Sequence, residues 1–234
     1  MSYRQVSVVL PVWRQATFID GVVRSYLAAL EKLPFGHEVL LVLNGDCNDT
    51  TRQCRALEAE FETVTVQTSD PPGWGHAVWN GVAAARGDLI CYTNSARTRA
   101  EDLALCILYA STFPGTVIKA ERQLRDSIVR RIGSVIYNLE CRALFNLAVF
   151  DVNGTPKVFP ADYEGLRNLT RHDDLIDAEF NIVCREAGYP MLEVPIFGVK
   201  RHGERSSTKL RSAIKMYAGL LSLAIERRKI RRPS

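Results

Sequence analysis

With 234 residues, 47% hydrophobic content and a formal net charge of +4, the chain can bury a substantial core as one large domain or two small ones. Its longest strictly apolar run, 103–110, falls far short of the roughly 20 residues that a membrane span needs, and no basic-then-apolar leader opens it. Six cysteines without a C-x-x-C pair read as small core residues in a reducing, cytoplasmic compartment, not as disulfides or zinc ligands.

Taken in order, 6–10 is a continuous β-branched run stopped by Pro11, which suits a fully buried strand. Thr17 is placed to cap a helix whose apolar positions are Phe18, Val22, Tyr26, Leu30 and Leu33. A second buried run at 39–43 ends in the turn Asn44-Gly45-Asp46, and Asn48 or Asp49 caps a helix through Phe61. A third strand is expected at 64–67. After Pro71-Pro72-Gly73, a helix over 75–86 stops at Gly87, and 89–92 reads as a buried central strand. Strands alternating with helices predict parallel pairing with right-handed crossovers in a Rossmann-like α/β/α sandwich with a mostly parallel central sheet.

Beyond residue 100 the spacing predicts a helix at 101–111, a strand at 116–120 and a long helix at 126–147. On the long helix Ile128, Ile132, Val135, Leu139, Ala143 and Leu147 form the expected core stripe, and Arg130, Ser134, Asn138 and Arg142 a polar one. A strand at 157–159, a helix over 173–188 and a strand at 192–196 complete a body spanning 1–199. Residues 200–234 form a basic amphipathic extension, with eleven Lys/Arg against Glu204 and Glu226. Its helix, with the seam Leu210, Ile214, Tyr217, Leu221 and Ala224/Ile225, reads equally as a membrane-surface element or as a helix docked on the body. Nucleic acid is a poor fit, because no stacking aromatics interleave with the basic cluster at 227–232.

Phosphate-binding, dinucleotide, nucleophile-elbow and zinc-protease signatures are all missing, and the four histidines form no ligand cluster. What remains is an ordered set of strand ends. VSVVLPVWRQ at 6–15, EVLLVLNGDCNDT at 38–50 and GWGHAVWNGVAAARGD at 73–88 together resemble family-2 inverting glycosyltransferases of the GT-A fold. The Arg-rich stretch 122–131, DVNGTPKVF at 151–159, DAEF at 177–180 and GYPMLEVP at 188–195 are similar to the polyprenyl-phosphate (dolichyl-phosphate-type) branch. The likeness spans about residues 5–210.

That resemblance implies transfer of a sugar from a nucleotide-sugar donor to a lipid-phosphate or hydroxyl acceptor, with inversion. Pro11, Val12, Trp13, Gln15, Asn44 and Asp46 are then expected under the base, and the Gly73–Gly75 loop with His76 beside the nucleotide. Thr93, Asn94 and Ser95 should face the ribose and pyrophosphate. Arg122, Arg130, Ser134, Arg201 and Lys209 are candidates for an acceptor phosphate. Asp177 and Glu179 are candidate catalytic carboxylates, about 200° apart on a helix, so that one alone can face the cleft.

One departure stands out. Where the family places D-x-D, two carboxylates for Mg²⁺ or Mn²⁺, this chain has Asn94-Ser95-Ala96, which argues against ordinary metal binding. Gln15 replaces a family Glu. Two readings follow. The first is a metal-independent transferase in which Arg97, Arg99 or Arg122 offsets the leaving diphosphate. The second is an inactive GT-A-fold binding or scaffolding module. Peripheral contact at the inner membrane surface is expected only if the C-terminal helix meets lipid.

Overall fold

A computed structural model describes residues 3–45, 48–123, 128–197 and 210–230, with backbone alone at 128–131, 210–215 and 228–230. The buried apolar runs become β1 (Gln5–Val12), β2 (Gly36–Asn44), β3 (Val64–Ser69) and β4 (Leu89–Tyr92). Between them lie α1 (Ile19–Leu30), α2 (Asn48–Glu60) and α3 (Trp74–Ala84). The second half contributes α4 (Ala100–Thr112), β5 (Val117–Arg122), α5 (Ile128–Phe145), β6 (Lys157–Pro160) and α6 (Glu164–Arg167). It closes with α7 (Ile176–Ala187), β7 (Met191–Ile196) and α8 (Leu210–Ile230). Among the described residues no helix is long and apolar enough to cross a membrane.

The strands form one sheet in the order β3-β2-β1-β4-β6-β5-β7. Every pairing is parallel except those of β6, which runs antiparallel to β4 and β5. One face carries α1, α2 and α4 on a core that includes Val23, Leu41, Leu57 and Ile107. The other carries α3, α6 and α7 on Val42, Val78, Tyr92 and Phe180. A satellite core joins α5, α7 and α8 through Tyr137, Cys141, Ala178, Leu220 and Leu223. The five described cysteines are buried and unpaired with one another, as small core residues should be; Cys47 lies outside the described residues.

Several local expectations are corrected. Thr17 does not cap α1: Phe18 holds that position, with no side-chain capping bond. Gly87 is not a left-handed helix stop, since α3 already ends at Ala84 and Ala85 is extended. Gly87 is instead a close-approach site, where a Cβ would sit 2.7 Å from the Ser7 backbone nitrogen. On α5, Ile132, Val135 and Leu139 are half exposed, while Tyr137, Asn138, Cys141 and Phe145 face inward. This helix is apolar on two sides, and periodicity alone does not choose between them. The α8 seam is likewise shifted: Leu220, Leu223 and Ala224 are buried, Leu221 and Ile225 exposed.

Two polar clusters inside the sandwich set its geometry. The first joins β1, β2 and the end of α3. The Ser7 hydroxyl donates to Glu38 at 2.6 Å and accepts from the Gly87 N–H at 2.7 Å. Glu38 also accepts from the Arg86 backbone N–H and guanidinium. Burial would raise the Glu38 carboxyl, but the Ser7 hydroxyl and both Arg86 donors outweigh it and hold it below its ordinary value.

The second cluster lies beneath β4, β5 and β6. Lys157, fully buried, donates to Asp177 Oδ1, which also accepts from the Tyr92 hydroxyl at 2.9 Å. Asp177 Oδ2 takes the Trp74 indole N–H at 3.2 Å. Beside it, buried Lys119 donates to Glu193 and to the Asp151 carbonyl, both at 2.5 Å, and Arg122 grips Asp151 with two bonds at 2.7 and 2.9 Å. Three cations thus meet three carboxylates, the condition under which charges tolerate burial. Burial pushes the Lys157 ammonium below its ordinary value in spite of Asp177.

Because an unpaired buried ammonium is costly, Asp177→Asn should lower unfolding stability by about 3–5 kcal/mol, and the double variant Lys157→Met/Asp177→Asn should recover part of it. Denaturant titration measures both, and an Asp177→Asn variant as stable as wild type would refute the account. For Glu38, whose folded value is depressed, stability is present above the unfolded value and lost as pH falls through the folded one. Glu38→Gln should therefore cost about 1–3 kcal/mol at pH 7, with the gap closing below about pH 4.

Candidate functional site

In an open α/β sheet a ligand crevice is expected beyond the carboxyl ends of the strands where their order reverses, here β1, β2 and β4. The β1–β2 register ends at Val12↔Leu43, with Trp13 following β1 and Asn44 closing β2. Val9↔Tyr92 and the Thr93 N–H to Val9 carbonyl bond bring the β4 tip alongside. Trp13, Asn44 and Asn94 thus follow the ends of β1, β2 and β4, three strands adjacent in the sheet.

Among the residues expected under a base, Trp13 presents a surface. Its side chain is 42% exposed, with the Arg14 guanidinium 4.9 Å from the ring centroid. Pro11 and Val12 are corrected, since both are buried in β1 as part of the sheet. Gln15 is buried too: its N–H donates to the Thr50 hydroxyl at 3.0 Å, and its side-chain oxygen accepts from Ser95 at 2.7 Å. Ser95 is consumed in that bond, and Thr93 shares a 2.7 Å hydroxyl contact with Thr98. These three side chains brace the loops after β1 and β4 and cannot face a ribose. Asn94 stays half-buried, its oxygen accepting from the Ala96 N–H at 3.1 Å in a local turn, and Arg97 follows on the same turn.

The loop before α3 is fixed from two directions. Asn44 Oδ1 accepts the Gly73 N–H at 2.5 Å, and the Trp74 indole is tied to Asp177. Gly75 lies directly under the 172–173 backbone, where a Cβ would come within 2.3 Å of the Asp173 carbonyl oxygen. His76 and Trp79 project from the first turns of α3 to His172, at ring separations of 5.2 and 4.7 Å. His172 and Asp173 thus pack against the start of α3, a contact that sequence reasoning missed. Its only signal was a run of two acids just before α7. Desolvation, followed by the charges of Asp173 and Asp177, raises the Asp174 carboxyl above its ordinary value.

The two carboxylates expected to be catalytic are otherwise engaged. Asp177 is saturated by Lys157, Tyr92 and Trp74. Glu179, 1% exposed, accepts from the Thr170 N–H and hydroxyl, the Arg171 N–H and the Arg227 guanidinium. Both carboxylates are thus taken up in bonds that tie neighbouring elements together. Arg122 is held by Asp151 and Arg99 by Asp102. Ser134 is half-buried on α5. Asp46, Arg201, Lys209 and the side chain of Arg130 lie outside the described residues.

The donor set at 94–96 does not fit a divalent cation. One amide oxygen is already used, the serine is buried against Gln15, and Ala96 offers a methyl group. Among the described residues no group of three or more His, Cys, Asp or Glu could hold a metal ion.

No family model matches the chain. It is 32% identical over 97 residues to glucosyl-3-phosphoglycerate synthase of Mycolicibacterium paratuberculosis, covering 39% of this chain and 28% of that one. It is 26% identical over 210 residues to undecaprenyl-phosphate 4-deoxy-4-formamido-L-arabinose transferase of Klebsiella pneumoniae, covering 85% and 61%. The chain therefore spans less than two thirds of the length of these relatives. Among solved structures it is similar to glucosyl-3-phosphoglycerate synthase from Mycobacterium tuberculosis in complex with phosphoglyceric acid, with TM-score 0.70 and 18% identity over 94% of this chain and 79% of that one. The same protein with Mn²⁺, uridine diphosphate and phosphoglyceric acid gives TM-score 0.70 and 18% identity, covering 94% and 78%. The chain has the GT-A fold of these glycosyltransferase structures, a mixed α/β sandwich on a seven-stranded, mostly parallel sheet.

Proposed function

We propose that the protein is an inverting glycosyltransferase that takes its sugar from a nucleoside-diphosphate donor. The observation that supports this best is the crevice at the β1, β2 and β4 tips. There an exposed indole, an anchored amide and the N-terminus of α3 meet within one fixed loop arrangement. The indole offers a stacking face for a base. The unpaired N–H groups at the start of α3 offer charge-complementary donors to the diphosphate, and Arg97 adds a cation.

The acceptor is read as a hydroxyl, and Asp174 as its base. The acceptor oxygen bonds to the anomeric carbon from the face opposite the diphosphate, and the carbon–oxygen bond to the diphosphate breaks with its electron pair. The acceptor proton passes to the Asp174 carboxylate. Asp174 is preferred over Asp177 because its carboxyl is raised and has no hydrogen-bond partner among the described residues. A phosphate acceptor is the second reading, favoured by the 26% identity to an undecaprenyl-phosphate transferase. In that reading Arg130, Ser134, Arg201 and Lys209 hold the phosphate, no base is needed, and α8 rests on a lipid surface.

Incubation with labelled nucleotide sugars and both acceptor types should give transfer that persists in EDTA. Transfer that appears only with Mn²⁺ would remove metal independence, and none across the donor panel would leave a binding or scaffolding module. Because Asp174 must be deprotonated to act and its value is raised, kcat/KM for a hydroxyl acceptor should fall on an acid limb above the ordinary aspartate value of about 3.9. Asp174→Asn should lower kcat by about 10²-fold or more while nucleotide binding survives. An unchanged pH profile in that variant would exclude Asp174 as the base.

A further inference from the structure

A hollow of about 690 Å³ opens at the end of the sheet opposite the β1, β2 and β4 tips. Its walls include Tyr3, Asp88 and Pro114, which precede β1, β4 and β5, and Asp162 and Tyr163, which follow β6. Hydrogen bonds fix their shape. The Ala161 N–H donates to the Asp88 carbonyl at 2.8 Å, the Gly115 N–H to the Tyr3 hydroxyl at 3.1 Å, and the Tyr163 hydroxyl to the Gly115 carbonyl. Tyr163 is also stacked on Tyr189, with ring centroids 3.8 Å apart. The only charges in the lining are the two carboxylates. Asp88 spends one oxygen on the Arg4 and Gln5 N–H groups. Its other oxygen and the whole Asp162 carboxylate have no hydrogen-bond partner among the described residues. Beside the hollow, α4 ends in an apolar surface that leads directly into Pro114. Leu108, Tyr109 and Phe113 are exposed there, and no charged residue occurs from 103 to 118. Exposed aromatics without charge are the composition of an interface core, not of an ordinary solvated helix face.

We infer that this surface receives the basic C-terminal segment of a second copy of the chain, residues 228–234, with its arginines paired to Asp88 and Asp162. The argument is charge complementarity. Residues 200–234 carry a net +9, which leaves the first 199 at −5 within a total of +4. Two such chains attract one another tail to body. The hollow supplies what an arginine takes: carboxylate oxygens for the guanidinium donors and tyrosine rings for its flat face. Ile230 and Pro233, set among the arginines in sequence, match the apolar shoulder on α4. Reciprocal exchange of the segment closes a two-fold dimer, so association stops there instead of growing into a filament. Because hollow and strand tips lie at opposite ends of the sheet, the inference does not depend on the glycosyltransferase reading.

Sedimentation velocity of the full chain over a range of concentrations tests this. Wild type should pass from monomer to dimer as concentration rises. Asp162→Arg and the double variant Arg231→Glu/Arg232→Glu should each weaken the dimer about tenfold or more. Mixed in equal amounts, the two variants should associate again, because the intact basic segment of one meets the intact hollow of the other. Asp162 is exposed, so its variant should melt near wild type. If it does not fold, the Arg231→Glu/Arg232→Glu chain decides alone: loss of the dimer supports the inference and its retention overturns it. A wild type that stays monomeric at every concentration, variants that associate like wild type, or a mixture that stays monomeric overturns the inference and leaves the glycosyltransferase reading standing.

Discussion

The carboxylate of Asp177 is the constraint on which the site depends. Four elements reach it: Lys157 from β6, Tyr92 from β4, Trp74 from the start of α3, and α7 itself. Each of these groups would be expensive to bury alone. Together they fix the distance between the central strand, the antiparallel strand inserted beside it and the helix that opens the crevice. The buried Lys119, Arg122, Asp151 and Glu193 extend the same logic one strand further, so the second half of the sheet is cemented by charge as well as by apolar packing. A polar network of this kind tolerates little slippage, because every partner lost leaves an uncompensated ion.

This rigidity divides the polar groups near the strand tips into two kinds. Gln15, Ser95, Thr93 and Thr98 satisfy one another and hold the loops after β1 and β4. Glu179 does the same for the segment before α7. Among the described residues, the Trp13 ring is exposed, and the Asn44 amino group and the Asp174 carboxylate have no hydrogen-bond partner. In the proposed function these groups, with the start of α3, supply a stacking face, hydrogen-bond donors and a base.

The first half of the fold was legible because each strand is an uninterrupted apolar run between turn residues, so that type and order follow from pattern alone. The second half was less so. The run 157–159 looks like the other strands, and nothing in its periodicity says that β6 is antiparallel. On α5 the sequence offers two apolar faces, and the buried one contains Asn138, whose amide is matched to the Phe150 carbonyl and the Val152 N–H. A polar residue in a core is invisible to hydrophobic counting. Asp177 and Glu179 look catalytic in sequence because acids at a helix start often face a cleft. Their partners, Lys157, Thr170 and Arg227, are brought to them only by tertiary packing. The packing of His172 and Asp173 on Gly75 escapes sequence reasoning for the same reason, since only the folded chain brings them together.

The absent acids at 94–96 change less electrostatically than their loss suggests. Two carboxylates and a divalent cation sum to no net charge, so removing all three leaves the field at the diphosphate nearly as it was. Gln15 in place of a carboxylate removes one further negative charge from the neighbourhood of a developing anion, which favours the anion. What disappears is the cation's grip on the geometry of the leaving group and its polarising power. The hydrogen bonds of Asn94, Ser95 and Gln15 brace that loop from within the protein. In the proposed metal-independent reading, orientation of the diphosphate would fall to the N–H groups at the start of α3, fixed through Asn44 and Trp74, and to Arg97 on the turn that follows Asn94. In such a site the two anchors of the α3 loop carry the geometric task that a bound cation performs elsewhere.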